Sequence, residues 1–112
     1  MAAELNTVFG ALADPTRRRV LEILREAPRP AGEIADRAGV SRAAMSHHLR
    51  VLSTVGLVRD DRGAQDARLR IFRLDPARIG EAESWLRELR TEWETALHAF
   101  QRHVETRERG GA

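Results

Sequence analysis

The sequence predicts a mainly α-helical domain carrying a two-stranded β-hairpin, with five helices and two strands in the order α-α-α-α-β-β-α. Apolar residues recur at helical spacing in several short stretches before residue 56 and in one long stretch after residue 75. Asp-Pro pairs and single glycines fall where such helices would begin and end. Between residues 57 and 74 the pattern becomes strand-like around a polar, Gly-containing tip.

Leu5, Val8, Phe9 and Leu12 give a first helix over about residues 4–13 its apolar face. Asp14-Pro15-Thr16 restarts the chain, because Asp accepts hydrogen bonds from the exposed amides of a helix start and Pro is tolerated at the first helical position. The second helix offers Val20, Leu21, Ile23 and Leu24 for burial and ends near Pro28, whose ring disfavours helix at the residue before it. A third helix, Ala31 to Ala38, turns Ile34, Ala35 and Ala38 to one side and stops at Gly39, suited to a left-handed cap. After Val40, Ser41 is placed to cap a fourth helix whose stripe is Ala44, Met45, His48, Leu49 and Leu52 and whose end is closed by Gly56. Leu57-Val58-Arg59, a tip from Asp60 to Ala67, and Arg68 to Leu74 read as the hairpin.

Asp75-Pro76 opens a final helix to about Thr106. Ile79, Ala82, Leu86, Leu89, Trp93, Leu97, Phe100 and Val104 lie three or four residues apart, one stripe along its whole length. So small a domain cannot bury all of it, so the stripe predicts a partner helix, most simply the same helix of a second copy. Residues 1–13 and 76–106 are therefore expected to be dimerisation helices. Leu5, Val8, Phe9, Leu86, Leu89, Trp93, Leu97 and Phe100 are expected to form the interface.

The 112 residues fit one domain over the full chain and leave no room for a second, catalytic one. Cysteine is absent, which removes disulfides, thiolate metal sites and a cysteine nucleophile. Neither a glycine-rich phosphate loop nor a His-carboxylate-hydroxyl grouping points to an enzyme. No apolar run approaches the roughly 18–20 residues of a membrane span and no leader pattern opens the chain, so a cytoplasmic protein is expected. All 19 basic residues are Arg, a planar fork donor suited to phosphate and guanine. Charge is uneven: residues 31–80 carry nine Arg against six acids, and residues 81–112 five Arg against seven. A DNA-facing centre and a tail with another task would fit that polarity.

The stretches LADPTRRRVLEIL (Leu12 to Leu24), EIADRAGVSRAAMSHHLRVLSTVGLV (Glu33 to Val58) and RIFRLDP (Arg70 to Pro76) closely resemble the ArsR/SmtB family of bacterial transcriptional repressors, over nearly the whole chain. The resemblance implies a winged helix-turn-helix fold, with Val40 to Leu52 as the recognition helix and the hairpin as the wing. It also implies double-stranded operator DNA and a second copy of the chain as partners. The family's recognition-helix core matches Ser46-His47-His48-Leu49-Arg50-Val51-Leu52.

A helix that enters the major groove needs short or polar residues on its first exposed turns. Ser41, Arg42, Ala43, Ser46, His47 and Arg50 meet that need, with Arg42 as guanine reader or phosphate clamp, His47 as a base or phosphate contact, Ser41 and Ser46 as phosphate donors and Arg50 on the backbone. His48 falls with the buried stripe and reads as structural. In the wing, Arg62, Arg68 and Arg70 surround a tip suited to the minor groove, while Asp60, Asp61 and Asp66 oppose phosphate attraction. One or two of Arg17, Arg18 and Arg19 are open to phosphate, although such a run on a helix surface is more often salt-bridged or simply solvated. A protein-interaction module that kept the fold but lost operator binding is the alternative function.

Many members of that family release DNA when a metal binds. The thiolate site of the family would fall near residues 33–38, where no Cys stands. In the final helix His98 and His103 lie about 140° apart around the axis, too far to chelate one ion without a partner's residues. Glu94 and His98 are one turn apart and could pair with their symmetry mates. The expectation is no metal and no cofactor, with an effector possible but unidentified. Trp85, Trp93 and Phe100 suit a dimer core better than a hydrophobic ligand pocket.

Overall fold

In the computed structural model, which describes residues 2–62 and 70–110, the elements are α1 (Ala2–Leu12), α2 (Pro15–Glu26), β1 (Arg29–Pro30), α3 (Ala31–Ala38), α4 (Arg42–Val55), β2 (Val58–Arg62), β3 (Arg70–Leu74) and α5 (Pro76–Gly110). Cα positions group into two compact units, Met1–Glu81 and Ala82–Ala112.

Helix boundaries follow their caps. Asp14 accepts from the amides of Thr16 (2.8 Å) and Arg17 (3.2 Å) ahead of Pro15 at the first helical position of α2. Ser41 Oγ accepts from the Ala44 amide at 3.1 Å to start α4. Gly39 (φ 70°) and Gly56 (φ 87°) end α3 and α4 in the left-handed region that L side chains avoid. At Gly56 a Cβ would also lie 3.0 Å from Arg78 Cγ, so a side chain there meets both strain and crowding.

The core of the first unit lies where α1, α2, α3 and α4 meet the sheet. Ile34, Met45, Leu52 and Leu57 are completely buried in it, and each such side chain contributes about 1.5–3 kcal/mol of burial. Val8, expected at a dimer interface, belongs to this core instead: it is 1% exposed in the single chain and has no surface left for a partner. Leu5 and Phe9 on the same helix are half-buried.

The sheet has one strand more than the sequence suggested. Arg29-Pro30 pairs antiparallel with β3, giving the order β1-β3-β2. Two residues, one of them a proline, show no alternation, so periodicity could not reveal them. In the hairpin Val58 lies opposite Leu74, Asp60 opposite Phe72 and Arg62 opposite Arg70. Asp60 and Asp61, expected in the tip, are thus strand residues. Arg68 and Asp66 lie outside the described residues, as does the Arg62 side chain. The Asp75 amide donates to Leu57 O at 3.0 Å, closing the hairpin base.

The second unit is the distal part of α5, which continues to Gly110 rather than ending near Thr106. Its apolar stripe is exposed along the helix: Leu86 and Leu89 at 49%, Trp93 at 66%, Leu97 at 39% and Phe100 at 63%.

Candidate nucleic-acid interface

The two faces of α4 differ sharply. Met45, Leu49 and Leu52 are at most 2% exposed, while Ser41, Arg42, Ala43, Ser46, His47 and Arg50 are all exposed. The candidate contacts of this helix therefore share one solvent-facing strip, held by the packing of the opposite side. Local chemistry favours an anion there. The first turn of α4 carries Arg42 and no acid, although a helix N-terminus is already electropositive and prefers Asp or Glu by about 0.3–1 kcal/mol. Such a departure from the local rule is expected where function needs the cation. Ser41 accepts the capping hydrogen bond and keeps its own hydroxyl proton to donate.

Among the described residues neither Arg42 nor Arg50 has an ion-pair partner. The Arg42 guanidinium lies over Gly32 of α3, 3.4 Å from where a Cβ would stand. A bulkier residue at position 32 would displace it. Arg50 and Ser46 line a cleft of about 260 Å³ together with Ser53 and Thr54 of α4 and Arg70 of β3, floored by Leu49 and Phe72. The structure thus brings Ser46, Arg50 and Arg70 to one place. Ser53 and Thr54 were not singled out from sequence, although one turn beyond Leu49 and Arg50 is where the exposed strip continues.

The arginines that open α2 are engaged within the protein. Arg17 donates from Nε to Ala11 O (2.7 Å), and its Nη1 is 3.5 Å from His48 Nδ1. Arg18 Nη1 donates to Leu12 O at 2.8 Å. Both guanidiniums thereby meet the open carbonyls at the C-terminal end of α1, where cations are favoured. Arg19 pairs with Glu22 at 3.5 Å. Arg17 and Arg18 thus make contacts within the protein, while Arg19 remains exposed in a surface pair. His48 is half-buried and ties α4 to α2 through Arg17, as its place in the stripe suggested.

Burial works to raise the Asp14 carboxyl, but hydrogen bonds from the Arg17 and Thr16 amides and the charges of Arg17 and His48 outweigh it, holding the group below the ordinary aspartate value. On the wing, Arg70 donates from Nε to Asp60 Oδ2 at 2.7 Å and stacks over Phe72 with 5.7 Å to the ring centroid. Arg73 faces Asp61 at 3.7 Å, and Arg59 faces Asp75 at 3.8 Å.

Among the described residues no three His, Asp or Glu side chains are grouped to hold a metal ion, and the chain has no Cys. His98 and His103 are exposed on the distal helix, and Glu94 lies 4.0 Å from Arg90. No described helix is long and apolar enough to cross a membrane.

One helix packed on its apolar side and open along a polar strip, preceded by a short helix and a Gly turn and followed by a wing, defines a winged helix-turn-helix DNA-binding transcriptional regulator. A helix-turn-helix domain model matches residues 12–61. The HTH-type transcriptional regulator Rv2034 of Mycobacterium tuberculosis is 38% identical over 96 residues, 86% of this chain and 84% of that protein. The transcriptional repressor SdpR of Bacillus subtilis is 39% identical over 61 residues, 54% of this chain and 68% of that protein. An ArsR-like transcriptional regulator from Rhodococcus sp. RHA1 superposes with a TM-score of 0.78 at 33% identity, covering 90% of this chain and 92% of that one. The chain belongs to the ArsR family of transcriptional regulators.

Proposed function

We propose that the chain represses transcription as a homodimer on an imperfect inverted repeat, each copy laying α4 into the major groove. The division of α4 into a buried apolar face and an exposed strip, whose two cations have no ion-pair partner among the described residues, carries this reading. Arg42 reads guanine, His47 contacts a base or phosphate, and Ala43 allows close approach to a thymine methyl. Ser41, Ser46 and Arg50 hold the backbone and set register. Arg62, Arg68 and Arg70 bring the wing to the flanking minor groove.

Dimerisation falls to the exposed stripe of Leu86, Leu89, Trp93, Leu97 and Phe100, with Leu5 and Phe9 contributing from α1. Exposed apolar residues in an unbroken stripe are the mark of a partner surface. Two recognition helices would then meet half-sites one duplex turn apart, about 34–36 Å. The name of the B. subtilis relative, a transcriptional repressor, supports repression as the output. The protein would work in the cytoplasm and join the nucleoid when bound to DNA.

A mobility-shift titration with the DNA upstream of its own gene, run against a random duplex, tests the reading. Saturable, salt-sensitive binding with a two-fold symmetric footprint is the expected result. Equal affinity for both duplexes would sink it, and a sedimentation profile of monomers alone would remove the dimer.

A further inference from the structure

We infer that the cleft between α4 and β3 seats one phosphodiester of the DNA strand that separates the major groove from the flanking minor groove, with Ser53 and Thr54 as donors to it. The inference rests on the DNA-binding reading above and adds to it two contact residues and a place for the backbone.

Duplex geometry brings a strand to this cleft. A helix seated in the major groove and a hairpin reaching the adjoining minor groove stand on either side of the sugar-phosphate strand between those grooves. In this chain the gap between the two elements is the cleft of about 260 Å³ lined by α4 and β3. Its lining suits an anion: two guanidiniums, Arg50 and Arg70, the three hydroxyls of Ser46, Ser53 and Thr54, and among the described residues no carboxylate. The spacing on α4 makes those donors converge. Residues 46, 50, 53 and 54 stand at i, i+4, i+7 and i+8, positions that share one face of a helix, and all four are exposed. A serine or threonine within a helix often turns its hydroxyl onto a carbonyl one turn back, as Thr7 does with Glu4 O at 2.7 Å. Ser46, Ser53 and Thr54 make no such bond among the described residues, so each keeps its proton for an outside acceptor.

Across the cleft Arg70 is held in place, its Nε donating to Asp60 Oδ2 at 2.7 Å and its guanidinium stacked over Phe72, 5.7 Å from the ring centroid. The Asp60 pair takes the Nε–Nη2 edge and leaves the two N–H groups of Nη1 to donate. Arg70 therefore supplies a fixed donor, and Arg50, which has no ion-pair partner among the described residues, supplies the charge. Ser53 and Thr54 add neutral, directional bonds. A neutral hydroxyl on a phosphate has a signature that neither a base reader nor an arginine shares. It releases no counterion, so its loss leaves the salt slope unchanged, and it reads no base, so its loss weakens every duplex alike.

The test is fluorescence anisotropy across a salt series with the full chain on two labelled probes, the upstream duplex and a random duplex. A scan follows with upstream duplexes that each carry one uncharged methylphosphonate linkage. Ser53→Ala combined with Thr54→Ala, which keeps a strong helix former at both positions, is expected to weaken binding to both duplexes about three- to tenfold with an unchanged salt slope. Thr54→Ser, which keeps the hydroxyl, should bind as wild type does, and thermal melts of the variants should match wild type. In the scan, one linkage in each half-site, beside the flanking minor groove, should cost wild type affinity and cost the double-alanine variant less. Unchanged affinity in the double-alanine variant would overturn the inference, and so would a methylphosphonate penalty equal in wild type and variant at every linkage. A loss confined to the upstream duplex would overturn it too, since that marks a base contact. Equal wild-type affinity for the two duplexes would remove the operator reading alone, because the hydroxyl effect is measured on either duplex. If wild type binds neither, the DNA-binding reading itself has failed and this inference falls with it.

Discussion

Replacing Arg50 by Ala tests the backbone contact assigned to the recognition helix and, in the same measurement, counts the chains on the DNA. Arg50 is exposed, lines the cleft and has no ion-pair partner among the described residues, so its loss should change folding stability by no more than about 0.5 kcal/mol. Removing one arginine from a phosphate makes the slope of log affinity against log salt shallower by about 0.9. One protomer on the duplex therefore gives a change of about 0.9, and two give about 1.8. Over a roughly fourfold rise in salt, the ratio of wild-type to variant affinity should shrink by about 3.5-fold for a monomer and about 12-fold for a dimer. Anisotropy titrations at several salt concentrations measure the slope directly, with thermal melts as the control for folding. Parallel lines for wild type and variant would refute the backbone assignment, and a slope change near 0.9 would refute two-fold binding.

Arg42→Ala should behave differently, costing about 1–3 kcal/mol at one base position and relaxing the preference there in a binding selection while the salt slope stays nearly unchanged. Leu52→Ala, at a completely buried position, should cost about 2–5 kcal/mol of stability in denaturant unfolding. Gly56→Ala places a Cβ in the left-handed region beside Arg78 and should cost about 1–2 kcal/mol, part of it recovered in an Arg78→Ala background. The carboxylate of Asp14 has its pKa lowered on folding, so its contribution to stability is present above the ordinary carboxylate range and is lost as pH falls through the lowered folded value. Melting temperatures measured from pH 5 downwards should fall less steeply for Asp14→Asn than for wild type.

Caps and the buried face of α4 were legible in the sequence because both depend on local spacing. Asp14, Ser41, Gly39 and Gly56 act on neighbours within a few residues, and Met45, Leu49 and Leu52 declare burial by their period. Strand β1 was invisible for the opposite reason, since two residues carry no period and their pairing with Ile71 and Phe72 is remote in sequence. Val8 shows another limit. An apolar helical stripe states that a face will be covered, but not whether the cover is the chain's own core or another chain. The roles of Arg17 and Arg18 depended on the angle at which α2 leaves α1, which brings guanidiniums onto carbonyls six residues back. The ion pairs of the wing needed the hairpin register, which a sequence of alternating Arg and Asp leaves open.

The strand order β1-β3-β2 has a consequence for the entropy of binding. Because β3 is hydrogen-bonded on both sides, to the segment that leads into α3 and to β2, the root of the wing is fixed before any DNA arrives. Strands anchored in this way surrender few conformations on docking, and each side chain they keep in place leaves more of the interaction energy as affinity. The amides of Ile71 and Phe72 should accordingly exchange slowly with solvent in the free protein, and DNA should leave that rate almost unchanged.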